Sequence, residues 1–356
     1  MKIAHVTYGL TLGGIETMLV NIANEQVKKG HIVHIIVINN LINESLFQLL
    51  DGNIHFHCLH RRVGSKNPVP HIKLNFMLMK FNPDIIHLHY SDIAKYLFIP
   101  SIRKKTCVTQ HDVCSKGNSR YLYLSKRIYA ISNIVKEDIL KWTGLHSEVV
   151  LNGIMPELIS YKSQFTHDGF HIVQVSRLMH QKKGQHILIK AADLLVKRGY
   201  TDFSVSFIGD GESREYLQTL VDELNLNQYI HFLGAKNQTY IFQHMCEYDL
   251  LVQPSIYEGF GLTVAEAMAA KVPVLVSDNQ GPLEIIDYGK YGYSFKNQDS
   301  LDCADKIQLF LDKKNDTSQI EKAYNRTLEL YNVKNTANTY LIKYKEFIES
   351  NYAESH

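Results

Sequence analysis

The sequence predicts an α/β protein made of two doubly wound, parallel-sheet domains in one chain. Three observations carry that prediction. Short apolar runs alternate with amphipathic helical stretches almost from end to end, which is how parallel strands joined by crossover helices read. The alternation lapses into polar residues between Tyr161 and Gly169 and then restarts. The length of 356 residues suits two domains of ~150–200 residues each better than one core.

Composition narrows the class further. Hydrophobic residues make up 45% and charged residues 21%, the balance of a folded soluble chain rather than a disordered or fibrous one. No apolar run approaches the ~18–20 residues that span a bilayer. The first residues, Met1 to His5, lead straight into a strand, so no cleavable signal is expected. Five scattered cysteines without any CxxC argue against a disulfide framework or structural zinc. The expectation is a cytoplasmic protein.

In the front half, strands are expected at 3–7, 31–38, 84–89, 106–110, 127–131 and 148–151, with a helix at about 14–29. The second half places strands at 172–175, 203–208, 229–233, 250–253 and 272–276, and helices at about 184–198, 213–224, 238–246 and 262–270. Pro254 ends one of these strands and Pro273 lies near the start of another, where proline is tolerated. The tail from about 301 reads as largely helical, and its last helix, at about 335–350, has no strand after it. The expected domains are 1–162 and 163–334, with a C-terminal helix, 335–356, expected to cross back and pack on the first domain. Doubly wound sheets bind ligands at the carboxyl ends of their strands, here expected to face a cleft between the domains.

Charge is uneven. Residues 1–165 hold 19 Lys+Arg against 11 Asp+Glu, and the remainder 19 against 25, within a net charge of +2. Two readings stay open: compositional unevenness, or a front half that faces an anionic membrane surface or lipid phosphate. No nucleic-acid partner is expected.

The most informative segment is Pro254-Ser255-Ile256-Tyr257-Glu258-Gly259-Phe260-Gly261-Leu262-Thr263-Val264-Ala265-Glu266. A buried strand ends, a Gly-Phe-Gly loop follows, and a helix opens at about Leu262. Glycines let backbone N–H groups approach a ligand, and a helix N-terminus adds roughly half a positive charge, so a phosphate suits this place. Carboxylates flanking an anion site are awkward unless hydroxyls of a sugar or ribose donate to them. A surface turn with a helix-start glutamate is the bland alternative.

This segment resembles the Glu-x7-Glu motif of retaining glycosyltransferases of family 4 with the GT-B fold, and the resemblance covers nearly the whole chain. It implies that Glu258 contacts hydroxyls of the donor sugar and that Glu266 binds the ribose. The backbone of Gly259, Phe260, Gly261, Leu262 and Thr263 would hold the diphosphate. Arg177 and Lys183, after the first strand of the second half, resemble the family's paired diphosphate ligands, with Lys182 a neighbour able to share the role. Gly209-Asp210-Gly211 is similar to the family's G-D/E-G turn, and Gly234 to the position beside the nucleotide base.

In the front half, Gly13-Gly14-Ile15-Glu16 resembles the GG-x-E loop whose backbone meets donor phosphate or acceptor, with Glu16 read as a helix-start residue or a substrate contact. It lacks the spacing of a dinucleotide site. His111, followed by Asp112 at a strand end, matches the family's catalytic histidine. Asn152-Gly153 matches a turn near the hinge. One departure stands out: Gln280-Gly281-Pro282 replaces the usual Gly-Gly, although Glu284 follows as in relatives.

The implied reaction moves a hexose or N-acetylhexosamine from a nucleotide-diphosphate sugar, UDP by family base rate, to a hydroxyl of a glycan or polyprenyl-linked acceptor, with retention, in bacterial surface-polysaccharide synthesis. No cofactor and no metal is expected, because the chain has no Asp-x-Asp pair or His/Cys ligand cluster. A UDP-sugar epimerase of the same fold and a non-catalytic sugar-nucleotide binder are the alternatives. Arg61-Arg62 and Arg103-Lys104-Lys105 are the basic clusters expected to face outward, toward a peripheral site on the inner membrane leaflet if the membrane reading holds.

Overall fold

The protein is described from a computed structural model covering residues 1–353 except 116, 163–168, 279 and 315. The chain forms two compact units, Met1–Gly153 with Asn332–His356, and Ile154–Tyr331. It therefore passes into the second unit nine residues before the expected 162/163 boundary, and it leaves three residues before the expected 334/335. The reason is local hydrogen bonding. Ser160 N–H donates to Phe242 O at 2.9 Å and Lys162 N–H to Ala270 O at 2.9 Å, tying 154–162 to the second unit. The polar stretch 163–168 lies outside the described residues.

Among the described residues the first unit holds seven strands: β1 Lys2–Thr7, β2 Ile32–Asn39, β3 His55–Arg61, β4 Ile85–Leu88, β5 Thr106–Gln110, β6 Arg127–Ala130 and β7 Glu148–Val149. Their order in the sheet is β3-β2-β1-β4-β5-β6-β7, with every described pairing parallel. β1 is buried almost throughout because it is central, pairing Ile3 with Val33 on one side and Ile85 on the other. Helix Gly14–Lys28 packs Leu19, Val20 and Ala23 into a core with Val33, Ile35 and Val37. Helix Val333–Ala353 belongs to this unit and buries Tyr340, Tyr344 and Phe347.

The second unit holds six among its described residues: β8 Phe170–Val175, β9 Phe203–Ile208, β10 Ile230–Phe232, β11 Leu250–Gln253, β12 Val274–Ser277 and β13 Tyr293–Phe295. The order is β10-β9-β8-β11-β12-β13, again parallel. Its core joins Val205, Phe207, Leu250 and Val252 of the sheet to Ile187, Leu188 and Ala191 of the helix Gln185–Lys197. Both units thus have the two-sided burial and crossover connections of doubly wound, Rossmann-like domains.

Strands 106–110, 203–208 and 250–253 have the expected bounds. β12 begins only at Val274, since Pro273 has no N–H to give the ladder and contributes its carbonyl to Leu251 N instead. β3 and β13 have no counterpart among the expected strands. β3 reads His-Phe-His-Cys-Leu-His-Arg and is a half-buried edge, and β13 has three residues. No helix among the described residues is long and apolar enough to cross a membrane.

Candidate functional site

In each sheet the strand order reverses once, between β1 and β4 in the first unit and between β8 and β11 in the second. Such switch points open a crevice at the strand carboxyl ends, where doubly wound proteins bind ligands. Apart from Gly234, which follows β10, the expected site residues sit on the loops, or on the helices opening directly after them, that leave β1, β5, β8 and β11.

In the second unit, residues 176–184 follow β8 and residues 254–261 follow β11. These loops are pressed together. A Cβ on Gly184, whose φ is +67°, would lie 1.9 Å from Pro254 O, and one on Gly209 (φ +144°) would lie 1.9 Å from Ser176 O. Only glycine allows that approach. Ile256 N–H donates to Lys182 O at 2.8 Å, Gln174 Nε2 to Lys183 O at 2.8 Å, and Gln185 Nε2 to Arg177 O at 2.9 Å. Gly209-Asp210-Gly211 braces the same loop, with Leu178 N–H donating to Asp210 O at 3.0 Å. The backbone carrying Arg177 and Lys183 is therefore fixed before any ligand arrives.

Lys183 and Glu258 form an ion pair, each side chain about four-fifths buried. Arg177 is exposed and pairs with Glu212 at 3.1 Å. Lys182 lies over the Tyr257 ring, 5.6 Å from its centre. The helix Leu262–Ala269 opens after Gly261, which has φ +103° and no side chain to cap the helix. Val264 N–H donates to Gly261 O at 3.0 Å, so the first helical N–H groups, at Leu262 and Thr263, remain directed out of the helix end. Gly259 and Phe260 are buried, and Thr263 Oγ1 donates to Gln253 Oε1 at 3.4 Å.

Glu266 is 8% exposed, and burial pushes its carboxyl up to about 7. No described side chain or backbone group donates to it. Gly234 lies beyond β10, exposed, at φ +70°, and its carbonyl accepts from Gly209 N–H at 2.9 Å. Gln280 gives the departure from the family pattern a role. Its Oε1 accepts from Glu258 N–H at 2.6 Å, and Gly281 N–H donates to Glu258 O at 3.0 Å. A Cβ at Gly281 would lie 2.5 Å from the Gly259 carbonyl. Residues 280–282 thus clamp the Glu258 loop.

In the first unit, Gly13 and Gly14 are exposed at the start of helix Gly14–Lys28. Glu16 is buried, accepts from the Tyr90 hydroxyl at 2.9 Å, and is held above the usual carboxylate range by burial. His111 follows β5, partly exposed, and its Nε2 lies 3.1 Å from His89 Nδ1. Surrounding protein pushes the His111 ring down to about 3.

His5, Gln26, His87 and His89 escaped the sequence reading. His5 Nδ1 is 3.0 Å from His89 Nε2, and His5 Nε2 is 2.8 Å from Gln26 Oε1. The ring nitrogens of His5, His87 and His89 lie within 4.8 Å of one another, close enough for a metal ion. Each already has a hydrogen-bond partner, His87 with Tyr344 and Thr109, so a metal would have to displace those bonds. The available signal was the His-Leu-His spacing of 87–89 beside a strand histidine, since alternate strand residues share a face.

The fold and the loops define the class: two Rossmann-like domains in one chain, each of the kind found in glycosyltransferases of the GT-B type. Two family models then match consecutive parts of the chain, "Glycosyltransferase Family 4" over residues 12–158 and "Glycosyl transferases group 1" over residues 157–326. Together the two matches run from residue 12 to residue 326, and the chain is a glycosyltransferase of the GT-B type.

It is 28% identical over 348 residues to an uncharacterized glycosyltransferase of Methanocaldococcus jannaschii, covering 85% of this chain and 87% of that one. It is 25% identical over 357 residues to the N-acetylgalactosamine-N,N'-diacetylbacillosaminyl-diphospho-undecaprenol 4-alpha-N-acetylgalactosaminyltransferase of Campylobacter jejuni, covering 91% and 92%. The sucrose synthase of Denitrovibrio acetiphilus is 37% identical over 134 residues, 35% of this chain but only 17% of that enzyme's length. Among solved structures, Anabaena HepE in complex with UDP-glucose superposes with a TM-score of 0.82 at 21% identity, covering 98% of this chain and all of that one.

Proposed function

We propose that the protein transfers a hexose or N-acetylhexosamine from a UDP-sugar to a hydroxyl of a glycan or polyprenyl-linked acceptor, with retention, in bacterial surface-polysaccharide synthesis. The carrying observation is the Lys183–Glu258 pair joining the loop after β8 to the loop after β11, which leads into the uncapped start of helix Leu262–Ala269 and its buried Glu266. In this reading the diphosphate lies against the N–H groups of residues 259–263, with Arg177 and Lys183 as counter-charges. Lys183 exchanges Glu258 for the diphosphate, and the released Glu258 accepts sugar hydroxyls. Glu266 accepts from the ribose, and Gly234 lies beside the base. Supporting it, the Campylobacter relative is named for transfer to a diphospho-undecaprenol-linked sugar, and the HepE structure holds UDP-glucose.

In the reaction, the bond from the anomeric carbon to the diphosphate breaks and its electron pair leaves with the phosphate oxygen. The acceptor hydroxyl attacks the oxocarbenium-like sugar from the same face, and its proton passes to the departing oxygen. Charge stabilisation by Arg177, Lys183 and the helix end takes the place a metal would fill. His111, Gly13 and Gly14 serve the substrate from the first unit, where the acceptor binds. The deciding experiment incubates the protein with UDP-sugars and a lipid-linked acceptor in EDTA. Glycosylated acceptor plus free UDP is expected; epimerised sugar without UDP release would replace this reading by the epimerase.

The first unit also carries features suited to the inner leaflet of the membrane. Helix Val69–Phe81 exposes Val69, Ile72, Phe76 and Met79 along one face, with Phe98 exposed as well. Beside Phe98 a cavity of about 300 Å³ is lined by Arg61, Lys66, His71 and Lys95. Apolar side chains rimmed by cations fit an anionic lipid surface. The triple Arg103-Lys104-Lys105 contributes less than its sequence suggests. Arg103 Nε donates to Leu97 O and Lys105 Nζ to Pro83 O, leaving Lys104 the exposed member.

A further inference from the structure

We infer that Gln26, His5 and His89 form a hydrogen-bonded file that sets which nitrogen of His111 carries its proton, leaving Nδ1 as a bare acceptor at the strand end. The file is Gln26 Oε1 to His5 Nε2 at 2.8 Å, His5 Nδ1 to His89 Nε2 at 3.0 Å, and His89 Nδ1 to His111 Nε2 at 3.1 Å. Gln26 and His5 are fully buried and His89 nearly so. The function assigned to His111 rests on the transferase reading; the file itself does not.

The direction follows from what each atom can do. An amide oxygen only accepts, so His5 Nε2 carries the proton. Burial drives His5 down to about 4 and His89 well below the usual range, so each ring is neutral and holds one proton. His5 Nδ1 must then accept from His89 Nε2–H, and His89 Nδ1 must accept from His111 Nε2–H. The one position left on His111 is a lone pair at Nδ1.

The neighbouring polar groups agree with that direction. The Gln26 amide nitrogen faces Tyr344 without reaching full hydrogen-bond geometry, so Tyr344 keeps its proton for His87 Nδ1. His87 Nε2–H then donates to Thr109 Oγ1 at 2.7 Å, and the Thr109 hydroxyl to Tyr340 at 2.8 Å. Both series run without a donor meeting a donor. The helix Gly14–Lys28, the strands β1, β4 and β5 and the terminal helix each supply a member. The result is a neutral acceptor for a substrate hydroxyl, prepared from about four side chains deep, and His5, His89 and Gln26 are positioning residues.

Two measurements test this separately. In protein with 15N-labelled histidine, long-range proton–nitrogen correlation spectra report each ring's tautomer without substrate or turnover. The expected result is Nε2–H for His5, His89 and His111, with His111 still neutral at pH 5. An Nδ1–H tautomer at His111, or titration of His111 near 6.5, overturns the file. So does a metal ion that co-purifies and occupies His5 and His89.

For activity, His89→Gln keeps one acceptor and one donor, and should retain turnover within about threefold, whereas His89→Leu should lower kcat by about tenfold or more with the donor KM little changed. Equal kcat in the two variants, both folded, also overturns it. If the spectra agree while wild-type protein and His111→Ala are both inactive with every UDP-sugar, the transferase reading fails and the file stands.

Discussion

The two switch points solve different problems with different materials. In the second unit the crevice is made of charges on stiff backbone: Arg177, Lys183, Glu258 and a helix end, with loops locked by Gly184, Gly209 and Gly281. In the first unit it is backed by neutral, buried polar rings: His5 and His89 are hydrogen-bonded to each other, and His87, stacked on His89, is hydrogen-bonded to Tyr344 and Thr109. A site for an anion must present charge, and charge is kept partly in water. A site for a hydroxyl needs only a correctly aimed lone pair, which can be prepared from deep inside a sheet.

The largest expected effect breaks the stiff backbone of the second unit. Gly184→Ala places a methyl 1.9 Å from Pro254 O at a φ of +67°, and neither the backbone atom nor the dihedral yields cheaply. Thermal unfolding should show a loss of about 3–5 kcal/mol. Gly13→Ala in the first unit is the control. There the added carbon meets only the flexible end of Glu16, at 2.8 Å, and the loss should stay below about 1 kcal/mol. Similar Tm values for the two variants would erase the contrast in rigidity.

Next is the charge itself. Lys183→Ala should lower kcat by on the order of 10²–10³, the scale of one transition-state donor lost. Lys182→Ala should cost far less, because Lys182 lies over Tyr257 whereas Lys183 reaches Glu258. Glu258→Ala should leave UDP affinity unchanged or raise it, since the pair's removal frees Lys183. Calorimetry with UDP checks the last point, and a collapse of affinity would place Glu258 on the nucleotide instead.

How much of each crevice was legible in the sequence follows from the same difference. Glycines, charges and a strand-loop-helix order are local, so Glu258, Gly261, Glu266, Arg177 and Lys183 could all be picked out along the chain, and the structure brings Lys183 and Glu258 together across 75 residues. The Gln26–His5–His89–His111 file is not local. It joins residues from a helix, a strand and the ends of two further strands, and its members look like ordinary core residues until sheet order places β1 beside β4 and β4 beside β5. In the sequence Gln280 is only a departure from the family pattern, because its clamp on the Glu258 N–H depends on how two loops meet. The missed β3 and β13 are edge strands, where half-polar composition and a three-residue length hide the alternation.

Glu266 sharpens the comparison through pH. Its carboxyl is raised to about 7 in the folded protein, from 4.5, so the folded state binds a proton more tightly than the unfolded chain. Stability therefore falls as pH rises from about 4.5 through 7, and the full penalty is present above that window. Glu266→Gln should be more stable than wild type at pH 8 by up to about 3 kcal/mol, with the difference vanishing near pH 4. Ribose hydroxyls that donate to the ionised form would oppose the shift, so UDP-sugar affinity should weaken as pH drops from 8 to 6 in wild type but not in Glu266→Gln. No such divergence in calorimetry would remove Glu266 from the ribose.

The smallest expected effect concerns the outer surface of the first unit. If that surface meets anionic lipid, sedimentation with vesicles should require acidic lipid and fall with salt. Changing Arg103, Lys104 and Lys105 together to Ser should weaken binding only about fivefold, the ~1 kcal/mol of one exposed cation, because Arg103 and Lys105 already donate to Leu97 and Pro83 carbonyls. Changing Phe76 and Met79 to Ser removes exposed apolar side chains, 58% and 48% accessible, and should weaken binding more than the triple does. A larger loss from the basic triple would mean that its internal hydrogen bonds open at the membrane. Equal sedimentation with neutral and anionic vesicles, or none with either, would leave the apolar face of helix Val69–Phe81 without a lipid partner and point to a soluble acceptor.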